Sequence, residues 1–122
     1  MRTQTYDESY FEDLTSGWNR ISFPMISAIV RPVLERNRPR IVLDFGCGSG
    51  AYAGVLKATG ADVEACDTSE AAIQACRGLY HRVFAVRDSS DLASGRYDLI
   101  FSTEVLEHIQ DHRAALANFH RS

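Results

Sequence analysis

The run Ile41-Val42-Leu43-Asp44-Phe45-Gly46-Cys47-Gly48-Ser49-Gly50 joins a β-favouring segment to a glycine turn. Apolar residues flank one acid, Asp44, and glycine then returns at every second position. The pattern predicts a buried strand, Ile41 to Phe45, ending in a tight turn that opens a helix. Glycine suits the turn because it adopts backbone angles that a Cβ disfavours. It also lets a ligand lie directly on the main chain. The run therefore predicts a nucleotide-like cofactor at the carboxyl end of a first strand.

Outward from that turn the chain alternates between helical and strand patterns. Upstream, residues 1–17 are polar with Tyr6, Tyr10 and Phe11 interspersed. A helix is expected over about 18–36, with Ile21, Met25, Ile29 and Val33 on one face and Pro24 near its start. Asn37-Arg38-Pro39-Arg40 breaks it. Downstream, a helix from about Ala51 to Ala58 stops at Thr59-Gly60. A second strand covers Asp62 to Cys66. Asp67-Thr68-Ser69-Glu70 starts a helix that holds Ala71 to Cys76. A third strand spans about Arg82 to Val86, the polar run Arg87 to Ser94 follows, and Gly95-Arg96 turns into a fourth strand, Tyr97 to Ser102. A short helical turn is expected at Val105 to Ile109. Asp111 then caps a last helix whose apolar face is Ala115, Leu116 and Phe119. Strands joined by helices at this spacing predict a parallel sheet with right-handed crossovers, a doubly wound α/β domain. Its ligand belongs at the carboxyl ends of the strands.

The bulk properties narrow the choice. The 122 residues suffice for one small domain. Hydrophobic content of 45% and charged content of 24% are ordinary for a folded domain. A net charge of −3 gives no global drive toward nucleic acid or an anionic membrane. Cys47, Cys66 and Cys76 form no C-x-x-C pair and read as reduced thiols of a cytoplasmic protein. No apolar run reaches the length of a membrane span, and no repeat is visible.

Two cofactors compete for the glycine turn. A dinucleotide pattern G-x-G-x-x-G meets Ala51 at its third glycine, a permitted variant. Against it stands Asp44, since a carboxylate beneath a pyrophosphate repels it. The same carboxylate suits a ligand whose near end carries an ammonium. Asp67, at the end of the second strand, can accept hydrogen bonds from both hydroxyls of a ribose, which either cofactor supplies.

Four blocks together resemble class I S-adenosylmethionine-dependent methyltransferases: Leu43 to Gly50, Glu64 to Ser69, Tyr97 to Ser102, and Glu104-Val105-Leu106-Glu107-His108-Ile109. They occur in order over roughly residues 37–122, behind an N-terminal helical cap at 1–36. The resemblance implies a Rossmann-like sheet in order 3-2-1-4, part of a family sheet of seven strands, and S-adenosylmethionine as cofactor. It lays the main chain of Gly46, Cys47 and Gly48 against the methionine portion, with Asp44 near the amino group. Asp67, with Thr68 beside it, grips the ribose. Asp88 faces the adenine amino group, Ser89 adds backbone contacts, and Ser102 sits beside the methionine end. Gly50 serves helix packing as readily as cofactor binding, and Asp98 reads as structural.

Methyl transfer is an in-line displacement at a carbon already activated by the sulfonium. The protein must align the acceptor and, for a hydroxyl, help remove its proton. Glu104, Glu107 and His108 are the clustered acid–base candidates at the correct strand end. Their Glu-x-x-Glu-His spacing resembles ubiquinone-type O-methyltransferases and small-RNA 2′-O-methyltransferases, which implies a divalent metal on these three residues. Two readings compete with the metal: Glu and His cap or orient the turn, or His108 acts as a general base without metal. His81, His112 and His120 read as surface residues, and Tyr6, Tyr10, Trp18 and Arg20 as cover for the cofactor from the N-terminal side, with helix packing the other role for Trp18. The expected function is methyl transfer to a small-molecule oxygen, nitrogen or carbon. The alternatives are an RNA methyltransferase and a non-catalytic cofactor-binding module. The fourth strand would be an open edge unless a partner chain or a C-terminal half covered it, so the chain is expected to be the N-terminal part of a longer enzyme. Alone, it is expected to bind cofactor weakly and not to turn over.

Overall fold

The computed structural model describes residues 19–103, 105 and 109–122, with side chains from Ser22 onward. In chain order the elements are α1 (Asn19–Asn37), β1 (Ile41–Phe45), α2 (Ala53–Lys57), β2 (Asp62–Asp67) and α3 (Glu70–Cys76). They continue as β3 (Arg82–Ala85), a 3₁₀ turn (Ser89–Asp91), β4 (Leu99–Phe101) and α4 (His112–Arg121). The strands form one parallel sheet in order β3-β2-β1-β4, as the sequence pattern predicts. In that order β4 stands at one edge and β3 at the other.

Alternation along the central strands builds two cores, one on each face. Val42, Val63, Ala65 and Phe101 point to the face covered by Leu34 of α1, Val55 and Leu56 of α2, and Cys76 of α3. Leu43, Phe45 and Cys66 point to the other, where Leu92 and Phe119 of α4 join them. Leu34, Val42, Leu43, Leu56, Val63 and Cys66 are wholly buried. Covering both faces of a parallel sheet favours apolar residues in its centre, hence the nearly continuous apolar run of β1.

Helix ends follow local chemistry. Arg38 takes φ +47° and returns its N–H to the Leu34 carbonyl at 2.9 Å, closing α1 just before Pro39. Ser69 caps α3, its Oγ accepting from the Ala72 N–H. Asp111 caps α4 through the Ala114 N–H at 3.0 Å, as expected.

Three expectations are corrected. Met25, Ile29 and Val33 do not face the core; they are 58%, 65% and 39% exposed. The adjoining column, Ile26, Val30 and Leu34, packs on the sheet, and the Phe23 ring stacks on Tyr52 at 5.2 Å. Two apolar columns sit side by side on α1, and spacing alone does not say which meets the sheet. Leu116 is likewise 54% exposed, because α4 seats Ala115 and Phe119 inward. The fourth strand is shorter than Tyr97 to Ser102: the Tyr97 N–H goes to the Ser122 carbonyl rather than to β1. Asp98 is structural, its carboxylate accepting from the N–H groups of Arg40 and Ile41, both at 3.0 Å. Among the described residues no helix is long and apolar enough to cross a membrane.

Candidate functional site

The carboxyl ends of β1 and β2 meet at the glycine turn. Gly46, Gly48 and Gly50 take φ of +78°, +54° and +78°, a region that a Cβ disfavours. The space at two of them is already filled from within. A Cβ on Gly46 would lie 2.3 Å from Cγ2 of Val105, and one on Gly50 2.7 Å from Cδ1 of Leu79. Gly50 therefore serves packing against the α3 end, one of the two roles its position allows.

The amides of the turn are committed to internal acceptors. Those of Gly46 and Cys47 both donate to the Cys66 carbonyl, at 2.8 and 3.1 Å, and that of Gly50 to the Cys47 carbonyl at 2.9 Å. Gly48 donates its N–H to Oδ2 of Asp67 at 3.1 Å, while Oδ1 of Asp67 accepts from Ser69 N–H at 2.9 Å. Asp67 thus pins the turn to the start of α3 and stands half-buried at its rim. Thr68 beside it is exposed.

Asp44 lies beneath the turn, 3% exposed. Its Oδ2 accepts from the Tyr80 hydroxyl at 2.6 Å. Burial pushes its carboxyl up to about 7; the Tyr80 bond pulls down and the charge of Asp67 adds to the rise. Cys47 is buried, and its thiol is pushed far up by its hydrogen bond with Cys76 and by burial. Cys76 in turn donates to the Gly48 carbonyl at 3.3 Å. These thiols pack the turn from below.

The remaining predicted residues spread along the same end of the sheet. Asp88 is exposed and caps the 3₁₀ turn, accepting from the backbone N–H of Ser90 at 2.8 Å and from its hydroxyl. Bonds from Ser90 hold its carboxyl below the ordinary range. Ser89 is buried, and its Oγ accepts from Asn118 Nδ2 at 3.0 Å, tying the turn to α4. Ser102, at the tip of β4, has a buried Oγ with no hydrogen-bond partner among the described residues. An unmet hydroxyl at the rim of a cradle suits a polar ligand group. Glu104, Glu107 and His108 lie outside the described residues, as do Tyr6, Tyr10, Trp18 and the side chain of Arg20. His81, His112 and His120 are exposed. Among the described residues no cluster of three or more His, Cys, Asp or Glu could hold a metal ion.

Sequence reasoning did not find Tyr80 as the partner of Asp44, nor Val105 as the residue over Gly46. Tyr80 stands 36 positions from Asp44, and no periodicity links them. Val105 sits inside a recognisable block but is apolar, and only the fold brings it to the turn.

The donor set fits S-adenosylmethionine better than a dinucleotide. A pyrophosphate needs free amides, and those of Gly46, Cys47, Gly48 and Gly50 are spent. The acids Asp44 and Asp67 and the orphaned Ser102 hydroxyl suit an ammonium, a ribose and a polar amino-acid end.

The chain is similar to known methyltransferases in sequence and in fold. A ubiquinone biosynthesis O-methyltransferase of Alkalilimnicola ehrlichii is 33% identical over 85 residues, which is 63% of this chain and 34% of that protein. A malonyl-[acyl-carrier protein] O-methyltransferase of Pseudescherichia vulneris is 34% identical over 91 residues, 72% of this chain and 36% of that protein. The chain spans about a third of the length of these curated relatives. Among solved structures, the TehB-like SAM-dependent methyltransferase of Corynebacterium glutamicum superposes with a TM-score of 0.69 at 24% identity, over 94% of this chain and 67% of that one. The plantazolicin methyltransferase BpumL, solved with S-adenosylhomocysteine, gives 0.67 at 19% identity, over 92% and 48%. At these identities the likeness concerns the fold. The family model of the methyltransferase domain matches residues 17–122, so the chain belongs to the class I S-adenosylmethionine-dependent methyltransferases.

Proposed function

We propose that the glycine turn and the acids beside it hold S-adenosylmethionine, and that the enzyme to which this chain contributes methylates an oxygen of a small molecule. The observation that carries the cofactor reading is the commitment of the turn's amides to Cys66, Cys47 and Asp67, which leaves carboxylates rather than N–H groups as its ligand-facing chemistry. When bound, the cofactor supplies a methyl group activated by its sulfonium. In this reading Asp67 receives the ribose hydroxyls, with Thr68 next to it, and Asp44 receives the ammonium. The main chain of Gly46 to Gly48 and the Ser102 hydroxyl flank the methionine end. Asp88 and the backbone of Ser89 flank the adenine. Glu104, Glu107 and His108 follow directly after the tip of β4. Our reading has His108 take the acceptor's proton, with the two glutamates orienting it or sharing a divalent cation with it. Two relatives named as O-methyltransferases support oxygen as the acceptor atom. Calorimetry of the 122-residue chain tests the cofactor. S-adenosylhomocysteine is expected to bind and NAD not to; NAD binding with no response to S-adenosylhomocysteine would overturn the reading.

A further inference from the structure

Tyr80 belongs to no motif, yet its hydroxyl reaches the acid beneath the glycine turn at 2.6 Å. It follows α3 and is 8% exposed. Its ring packs against the turn, with Cε2 3.6 Å from where a Cβ on Gly50 would lie. Turn, ring and carboxyl therefore form one packed unit. Among the described residues Tyr80 is the one hydrogen-bond donor to Asp44, and it takes Oδ2 alone.

We propose that Tyr80 is a positioning residue for cofactor binding: by fixing Oδ2 of Asp44 it turns Oδ1 toward the place the cofactor's ammonium occupies. This rests on the S-adenosylmethionine reading above. A short bond from a rigid donor restrains the rotation of the carboxylate that accepts it. The phenol is suited to this task because burial and the neighbouring Asp44 charge push its own ionisation far above the working range, so it remains a donor. The groups facing Asp44 are the Tyr80 hydroxyl, the Asp67 carboxylate and the thiols of Cys47 and Cys66. No cation among them holds Asp44 ionised. An arriving ammonium is then the first positive charge at this carboxyl, and its binding expels the proton that Asp44 retains at neutral pH. Binding thereby strengthens as pH rises toward 8.

Two measurements on the 122-residue chain test the idea. In the ligand-free chain, ¹³C NMR of the Asp44 carboxyl is expected to titrate with a midpoint at about 7. Tyr80→Phe keeps the ring and removes the donor, so its midpoint moves up by about one pH unit. In calorimetry with S-adenosylhomocysteine, run in buffers of different ionisation enthalpy, the unaltered chain releases a fraction of a proton at pH 7. Tyr80→Phe binds about tenfold more weakly at that pH and recovers most of the loss by pH 8.5. Asp44→Asn shows no release and a flat profile. Superimposable profiles for Tyr80→Phe and the unaltered chain would overturn the assignment. If Tyr80→Phe does not fold, absence of proton release by the unaltered chain overturns it. A chain that titrates as described but does not bind S-adenosylhomocysteine would instead defeat the cofactor reading.

Discussion

Asp44 and Asp67 lie near the carboxyl ends of adjacent strands, and the fold treats them differently. Asp67 keeps solvent at the rim and receives two backbone N–H groups. Asp44, 3% exposed, receives one hydroxyl and no cation. The difference has a thermodynamic consequence, because burial lifts Asp44 from 3.8 to about 7. Between those values the folded chain retains a proton that the unfolded chain has released. Stability from this group is therefore present below pH 4 and is lost as pH rises to 7, a change of about 4 kcal/mol in the limit of full burial. Asp44→Asn removes the titration while keeping an acceptor for Tyr80. Urea denaturation at pH 4 and pH 8 is expected to show the variant gaining on the parent by about 3–4 kcal/mol across that interval. The other shifted acids, Glu64, Asp88, Asp91 and Asp98, titrate in the opposite direction but are shared by both chains and cancel in the comparison. Equal pH dependence of the two chains would show that Asp44 is ionised in the folded state throughout.

At the scale of elements, α1 separates what periodicity can say from what it cannot. Its apolar residues occupy two neighbouring columns, and the sheet takes the one with Leu34, which is wholly buried. Leu34→Ala is expected to cost about 2–5 kcal/mol, whereas Ile29→Ala stays within about 0.5 kcal/mol. Thermal unfolding of both variants checks this, and a reversed ranking would mean that α1 seats its other face. The first strand was legible for a physical reason: a parallel sheet covered on both faces demands apolar runs, and Ile41 to Phe45 provides one, while the expected second strand, Asp62 to Cys66, ends one residue short of the observed Asp67. The glycine turn was equally legible, since positive backbone angles leave a local trace. Tyr80 and Val105 were not, because each acts across the fold on a residue far along the chain. The shortening of β4 was hidden for the same reason: Tyr97 spends its N–H on Ser122, a partner that exists only after α4 has docked.

The whole molecule is tied together across its sheet by one buried acid. Glu64, 1% exposed in the middle of β2, pairs in register with Leu43 of β1 and Arg82 of β3. Over the top of β1 it receives Arg96 through Nε at 3.1 Å and through Nη2, and the Tyr97 hydroxyl at 2.8 Å. Arg82 approaches from the other side at 3.7 Å. The segment carrying Arg96 also holds the end of α4, since Gly95 and Tyr97 donate to the carbonyls of Arg121 and Ser122. One carboxylate thus links β2, β3, the entry to β4 and the last helix. Burial works to raise its pKa, but the bonds from Arg96 and Tyr97 and the charge of Arg82 outweigh it and hold the carboxyl below its ordinary 4.5. The stabilisation is therefore present above pH 4.5 and disappears as pH falls through the lower folded value. The two ends of the pair are unequal, because Arg96 and Arg82 keep 38% and 52% of their side chains in solvent while Glu64 keeps almost none. Replacing Glu64 leaves two largely solvated cations and the half-buried Tyr97 hydroxyl, so Glu64→Leu is expected to be close to neutral, within about 1 kcal/mol at pH 7. Arg96→Met strands the buried carboxylate, and Glu64 then costs the fold about 2–3 kcal/mol at the same pH, less than a full pair loss because Tyr97 and Arg82 remain. Acid distinguishes the causes. Without Arg96 one of the causes that lower the Glu64 pKa is gone and it rises relative to the parent, so Arg96→Met should regain stability relative to the parent as pH drops from 7 to 4. Urea midpoints at both pH values decide it: a penalty for Arg96→Met that stays constant would locate the loss in packing of the arginine stem rather than in the stranded charge.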